Sequence, residues 1–275
     1  MTVTRFAPSP TGYLHLGHAH SALVGWHKAR AETGRFLLRI EDIDPARCRP
    51  EFEAAILEDL GWLGLEWEQP VRRQSDHLAD YQGALDRLRR LGVLYPCFCS
   101  RKDIAAAVSA PHGPEGPIYP GTCRALPAEL AQARQERGDP YALRLDVAKA
   151  RAMMGPVTFQ DQREGTVEAR PETLGDVVLA RRDAPASYHL CVTVDDHLQG
   201  VTLVTRGVDL FHATHIHRLL QAILDLNIPT YLHHLLLTNA AGERLSKRDG
   251  AVAIRALRQA GRSAAEVRAL AGFSD

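Results

Sequence analysis

Neither sign of charge is in surplus in this sequence: 33 lysines and arginines face 33 aspartates and glutamates. A balanced chain has no global cationic field to hold nucleic acid non-specifically, so any contact with RNA or DNA must be local. No run approaches the roughly 18 uninterrupted apolar residues of a membrane span. The N-terminus also lacks a basic segment leading into an apolar one, so neither secretion nor membrane insertion is expected. The chain reads as cytoplasmic, with no membrane partner. Cysteines are few, five, and odd in number, which argues against a disulfide framework and leaves metal binding or burial to explain them. Internal repeats and low-complexity tracts are missing too. What is present is a length of 275 residues with 45% hydrophobic content, enough for one large core or one domain carrying an insertion.

Strand and helix signals alternate along most of the chain. "VTRF" reads as a short strand, and "GHAHSALVGWHKARAETG" as a helix with Ala19, Leu23 and Trp26 on one face and Gly34 as its stop. "RFLLRIED" reads as a second, mostly apolar strand, followed by helices from Pro50 to Leu63 and from Asp76 to Leu91. That order implies parallel strands with right-handed crossovers, hence a doubly wound parallel α/β sheet. From Tyr95 to Ala186 the pattern breaks: a Pro/Gly-rich stretch, "APHGPEGPIYPGTC", and alternating segments such as "YALRLDV" and "VTFQDQREGTVEARP" suggest an inserted antiparallel domain. The α/β pattern returns with "YHLCVTVDD", "VTLVTRG", a helix near "ATHIHRLLQAILDL" and a strand at "HHLLLT"; the last 25 residues read as helix.

Two stretches carry the chemistry. In "RFAPSPTGYLHLGH", residues 5–18, two prolines, two glycines, two histidines and an arginine crowd together. A strand running through a glycine-containing turn into a helix gathers backbone N–H groups and the positive end of a helix dipole, a natural place for phosphate. His15 and His18, three apart, can face one ligand, while Gly17 leaves room for a base or ribose. "ERLSKRDG", residues 243–250, taken alone is a solvated basic loop. Its position after the last strand, where ligands of such sheets bind, would let Lys247 reach the phosphates of a nucleotide held by the first stretch.

"HLGH" at 15–18 and "RLSKR" at 244–248 resemble the two signature motifs of class I aminoacyl-tRNA synthetases, and "RFAPSPTGYLHLGHA" is similar to their glutamyl and glutaminyl branch. The likeness extends through "RIEDID", "YHLCVTVDD" and "VTLVTRGVDL". A core with this cysteine cluster and only a short segment after the second motif looks like the glutamyl-queuosine tRNA(Asp) synthetase family. The resemblance implies ATP-dependent activation of L-glutamate and its transfer to queuosine in the anticodon loop of tRNA(Asp). His15, His18 and Lys247 would stabilise phosphate charge, His15, Gly17, His18 and Lys247 would bind ATP with Mg²⁺, and Arg5, Ser9, Glu41, Tyr188 and Arg206 would line the glutamate pocket. Arg244 replaces the first lysine of the usual second motif and is a weaker contributor. The residues agree physically: two carboxylates and an ammonium need two cations and an anion, and Arg5, Arg206 and Glu41 fall at strand ends. Two alternatives remain, a minimal enzyme charging the 3′ end of tRNA(Glu) and a small-molecule adenylyltransferase.

Cys97 and Cys99 are separated by one residue and Cys123 follows across the Pro/Gly-rich loop. Three soft ligands suggest a structural zinc that needs a fourth, Tyr119 or His112. The family resemblance selects Tyr119, whereas ligand chemistry alone favours histidine. Cys48 and Cys191 read as buried thiols. The organisation expected is a Rossmann-type catalytic domain over 1–95 and 187–242, a zinc-bearing acceptor-binding insert over 96–186, and a loop with a short helical part over 243–275. No anticodon-binding domain is expected, and a monomer is.

Overall fold

The computed structural model describes residues 1–100, 102–103, 118–182, 184–238 and 252–274. Strands β1 (Val3–Phe6), β2 (Arg35–Ile40) and β3 (Glu68–Arg73) form a parallel sheet in that order. β1 and β2 are almost wholly buried, which is why they read as near-continuous apolar runs. β3 was not legible: it is an edge strand, half exposed, with Pro70 inside it, and such strands carry little hydrophobic signal.

Helix α1 (Leu16–Ala31) crosses from β1 to β2 and buries mainly small residues, Ala19, Ala22, Gly25 and Ala29, around Leu23. Small residues let the helix lie close. A Cβ on Gly25 would fall 2.9 Å from Thr205 Oγ1, and the Thr4 hydroxyl donates to the Gly25 carbonyl at 2.8 Å. Trp26 is only half-buried. The helix stop also differs from expectation. Thr33, at φ 50°, takes the left-handed position, and Gly34 donates its N–H to the Ala29 carbonyl at 2.8 Å. Glycine is needed at 34 for space, since a Cβ there would sit 2.1 Å from the Thr2 carbonyl oxygen.

The second sheet runs β7-β6-β10-β9, built from β6 (Thr158–Asp161), β7 (Gly165–Glu168), β9 (Leu203–Gly207) and β10 (Thr230–His234). β10 pairs in parallel with β9 and β6, and β7 is antiparallel to β6. β9 lies beside β1: Thr202 N–H donates to the Val3 carbonyl at 3.0 Å and Val3 N–H to Thr202 Oγ1 at 2.9 Å. The single parallel sheet expected is therefore two abutting sheets, the second of mixed direction. A separate antiparallel sheet has the order β4-β5-β8 (Leu94–Cys97, Ala142–Leu145, Val178–Arg181). The β6–β7 hairpin, although inside 96–186, belongs to the sheet of β9 and β10. Among the described residues between Tyr95 and Ala186, helices α4 (Ala128–Glu136) and α5 (Val147–Met154) form; α2 (Pro50–Trp62) and α3 (Leu78–Arg90) fall where expected.

α6 (Tyr188–Leu198) contains the β-branched stretch "YHLCVTVDD" yet is helical, with every residue from His189 to Asp196 buried. Burial on all faces overrides the modest strand preference of its valines and threonine. After α7 (Ala213–Ile223), β10 ends at His234, where the strand at "HHLLLT" was expected to begin. Its register runs from Thr230–Leu203 to His234–Gly207, so the chain leaves the sheet where its partner β9 ends. The C-terminal region is two short helices, α8 (Ile254–Gln259) and α9 (Ala264–Leu270), and Ile254, Val267 and Ala271 join the core under β1 and β2. Among the described residues no helix is long and apolar enough to cross a membrane.

Candidate active site

A cavity of about 300 Å³ opens beyond the ends of β1, β2 and β9, and Arg5, His15, Gly17, His18, Glu41, Tyr188 and Arg206 all line it. Seven expected site residues thus converge. Ser9 does not: it lines a neighbouring cavity of about 270 Å³, for which Glu41 and Tyr188 form the shared wall. Lys247, Arg244 and His112 lie outside the described residues.

His15 is the N-cap of α1. Its Nδ1 accepts from Gly17 N–H at 3.1 Å, while His18 Nδ1 accepts from His15 N–H at 3.2 Å. With both Nδ1 atoms accepting, each neutral ring carries its proton on Nε2. The rings lie 3.8 Å apart between centroids. The N–H groups of His15, Gly17 and His18 are therefore engaged within the cap. Ala253 bridges to His15, Ile254 N–H donates to the Leu14 carbonyl at 2.8 Å, and Leu236 and Leu237 line the cavity. Both flanks of residues 239–251 are thus fixed at this site.

The two arginines differ in their partners. Arg5 is 5% exposed and holds Asp196 with two N–H groups, Nε at 2.9 Å and Nη2 at 3.3 Å, while Nη1 donates to the Thr205 carbonyl at 3.2 Å. Arg206 is equally buried, yet its hydrogen bonds go to uncharged groups. Nε donates to His233 Nε2 at 3.2 Å, Nη1 to Tyr188 Oη at 3.3 Å and His217 Nδ1 at 3.1 Å, and Nη2 to Thr214 Oγ1. Burial, reinforced by the adjacent guanidinium, pushes His217 well below the ordinary histidine range and His233 down to about 4. Both rings are neutral near pH 7.

Behind Arg5 and Glu41 lies an ionic core absent from the sequence reading. Arg39, with no exposed surface, reaches Asp196 at 2.8 Å, Glu41 at 3.5 Å and Asp195 at 3.6 Å. Asp195 also accepts from Arg72 at 2.7 Å, Gln74 at 2.9 Å and Tyr81 at 2.9 Å. Three arginines, 5, 39 and 72, thereby balance three buried carboxylates. Burial dominates at Glu41 and, despite Arg39 and Arg5, raises its pKa to about 7. The signal for Asp195 and Asp196 was available in "VTVDD", two acids ending an apolar helix; Arg39 was hidden inside an apolar strand.

The cysteine cluster also forms. Cys97, Cys99 and Cys123 place their sulfurs within 4.8 Å of one another, with Cys99 and Cys123 3.5 Å apart. Tyr119 Oη lies 3.8 Å from Cys99 Sγ and accepts from Cys123 N–H at 2.7 Å. With zinc–sulfur bonds of about 2.3 Å, tetrahedral geometry requires sulfurs about 3.8 Å apart. The donor set fits such an ion.

The family model for the catalytic domain of class I tRNA synthetases (E and Q) matches residues 1–270. A glutamyl-Q tRNA(Asp) synthetase from Rhodobacter capsulatus is 51% identical over 98% of this chain and 100% of its own length. A glutamate–tRNA ligase from Aquifex aeolicus is 38% identical over 94% of this chain and 54% of its own. Among solved structures, a glutamate tRNA ligase from Elizabethkingia meningosepticum, in complex with its amino acid, has a TM-score of 0.76 at 29% identity, over 90% of this chain and 52% of that one. The chain therefore spans about half the length of those glutamate ligases.

Proposed function

This chain belongs to the class I tRNA synthetase catalytic-domain family of the E and Q branch and is a ligase, and we propose that it activates glutamate with ATP and transfers it to queuosine in tRNA(Asp). The observation that carries the amino-acid assignment is Arg206, a buried guanidinium without a carboxylate in direct contact among the described residues, facing a cavity that also presents Arg5 and Glu41. A buried cation calls for an anion. Glutamate supplies two carboxylates for Arg5 and Arg206 and an ammonium for Glu41, with the Tyr188 hydroxyl beside them. The two sheets then read as the halves of a Rossmann-type core split by the insert.

In the first step the α-carboxylate oxygen attacks the α-phosphorus of ATP, and the bond to the β-phosphate breaks, releasing pyrophosphate. The Nε2–H groups of His15 and His18 are aimed by the helix cap to stabilise that phosphate charge, and family pattern assigns Lys247 to the same task. Mg²⁺ carried with ATP would neutralise the leaving group. In the second step a hydroxyl of the cyclopentenediol ring attacks the activated carbonyl, forming an ester and releasing AMP. On this reading the nucleoside would enter by the cavity that shares Glu41 and Tyr188 as its wall.

The Rhodobacter relative, matched over its whole length, supports queuosine as acceptor. Charging queuosine-containing and queuosine-free tRNA(Asp) side by side tests it: only the first should accept glutamate, and periodate oxidation of the ring should block transfer. Glutamylation of the 3′ end of tRNA(Glu), with none on modified tRNA(Asp), would favour a minimal glutamyl-tRNA synthetase.

Glu41 gives the reaction a pH limb. Its carboxyl, raised to about 7, is ionised above that pH and neutral below it, so attraction for the substrate ammonium is lost as pH falls. kcat/KM for glutamate is expected to decline below about pH 7, reporting the free enzyme. Glu41→Gln should remove this limb; an unchanged profile in that variant would assign the ammonium elsewhere.

Cys97, Cys99, Cys123 and Tyr119 would hold a structural zinc bracing the β4-β5-β8 unit. Metal analysis of purified protein should find one zinc per chain, lost in Cys99→Ser. Metal-free protein of normal stability would return the three cysteines to plain thiols.

A further inference from the structure

Asp161 ends β6, and the register of β6 with β10 contains one residue pair, Tyr231–Asp161. The Asp161 carboxylate is 3% exposed and fully engaged. Oδ1 accepts from the N–H groups of Arg163 at 2.9 Å and Glu164 at 3.1 Å. Oδ2 lies 2.6 Å from His233 Nδ1 and accepts His233 N–H at 3.3 Å. His233 is 1% exposed and neutral, so it has one ring proton to place. Given to Asp161, that proton leaves Nε2 as an acceptor, which takes Arg206 Nε–H at 3.2 Å and the Thr214 hydroxyl at 3.0 Å. His217 acts alike on Nη1, passing its other nitrogen to His189 Nδ1 at 3.1 Å.

The contrast with Arg5 gives this arrangement its meaning. A carboxylate gripping the guanidinium, as Asp196, shared with Arg39, grips Arg5, orients it and offsets part of its charge. A neutral imidazole orients without cancelling. Resting on the glutamate reading above, we propose that Asp161 and His233 are positioning residues for Arg206: Asp161 fixes the His233 tautomer, and His233 then aims an uncompensated guanidinium at a substrate carboxylate.

The test is Asp161→Asn, read by the glutamate and ATP dependence of pyrophosphate exchange. The introduced amide can donate to His233 Nδ1, moving the ring proton to Nε2, where it confronts the Arg206 N–H. The KM for glutamate should rise about tenfold or more, with the KM for ATP changed less than about twofold. In a His233→Gln background no tautomer exists to be set, and a side-chain oxygen can still accept from Arg206; there Asp161→Asn should add less than about twofold. If Asp161→Asn does not fold, His233→Gln against His233→Leu decides, the first keeping the glutamate KM within about threefold and the second losing about tenfold. An unchanged glutamate KM, an equal rise for ATP, a full effect in the His233→Gln background, or equal losses in the two His233 variants would overturn the proposal. A parent protein inactive with glutamate would overturn the functional reading and this assignment with it, whereas an active parent beside an indifferent Asp161→Asn would overturn this assignment alone.

Discussion

Arg206→Ala is expected to weaken glutamate binding by about 2–5 kcal/mol, roughly thirtyfold to a few thousandfold in KM, while the KM for ATP stays near the parent value. The loss has two sources. A substrate carboxylate enters the cavity without its charge partner, and His233 and His217, both almost fully buried, lose the donor they face. Because the guanidinium hydrogen-bonds His233, Tyr188, His217 and Thr214 and not His15 or His18, nucleotide binding should be spared. Steady-state pyrophosphate exchange with glutamate varied at saturating ATP measures this. Equal losses for the two substrates would mean that the substitution disorders the whole cavity, and an unchanged glutamate KM would remove Arg206 from the pocket.

Arg39→Met should lower folding stability by about 3–5 kcal/mol. Methionine fills similar space, so the cost is electrostatic. Glu41, Asp195 and Asp196 would be left in one another's fields, with Arg5 and Arg72 reaching only the last two. Urea denaturation followed by circular dichroism reads the change as a lower midpoint at constant slope. A loss under about 1 kcal/mol would mean that the carboxylates protonate or hydrate at little cost.

The motifs that read most clearly in the sequence are those whose side chains lie near their own place in the chain. His15 and His18 share one helical turn, and Arg5, Glu41 and Arg206 lie at or near strand ends, so local pattern brings them to one cavity. Cys97, Cys99 and Cys123 converge as their spacing suggested. Ser9 lines the neighbouring cavity, since a residue in a proline-bounded loop has no periodicity to aim it. Asp161, His217 and His233 were illegible for a different reason. Their role arises only where the β6–β7 hairpin meets β10, a pairing of one register position that no local signal encodes. The expected single sheet divides elsewhere, between β1 and β9. Helix α6 carries strand-favouring residues that are helical with nearly every face buried.

The ionic core under the cavity constrains how this sequence can change over time. Arg5, Arg39, Arg72, Glu41, Asp195 and Asp196 are linked so that removing one member strands its neighbours, and the next removal then costs less than it would have alone. Effects at these positions are therefore sub-additive. Exchanging several members together is therefore expected to cost less than the sum of the single losses, so the six positions form one unit of change.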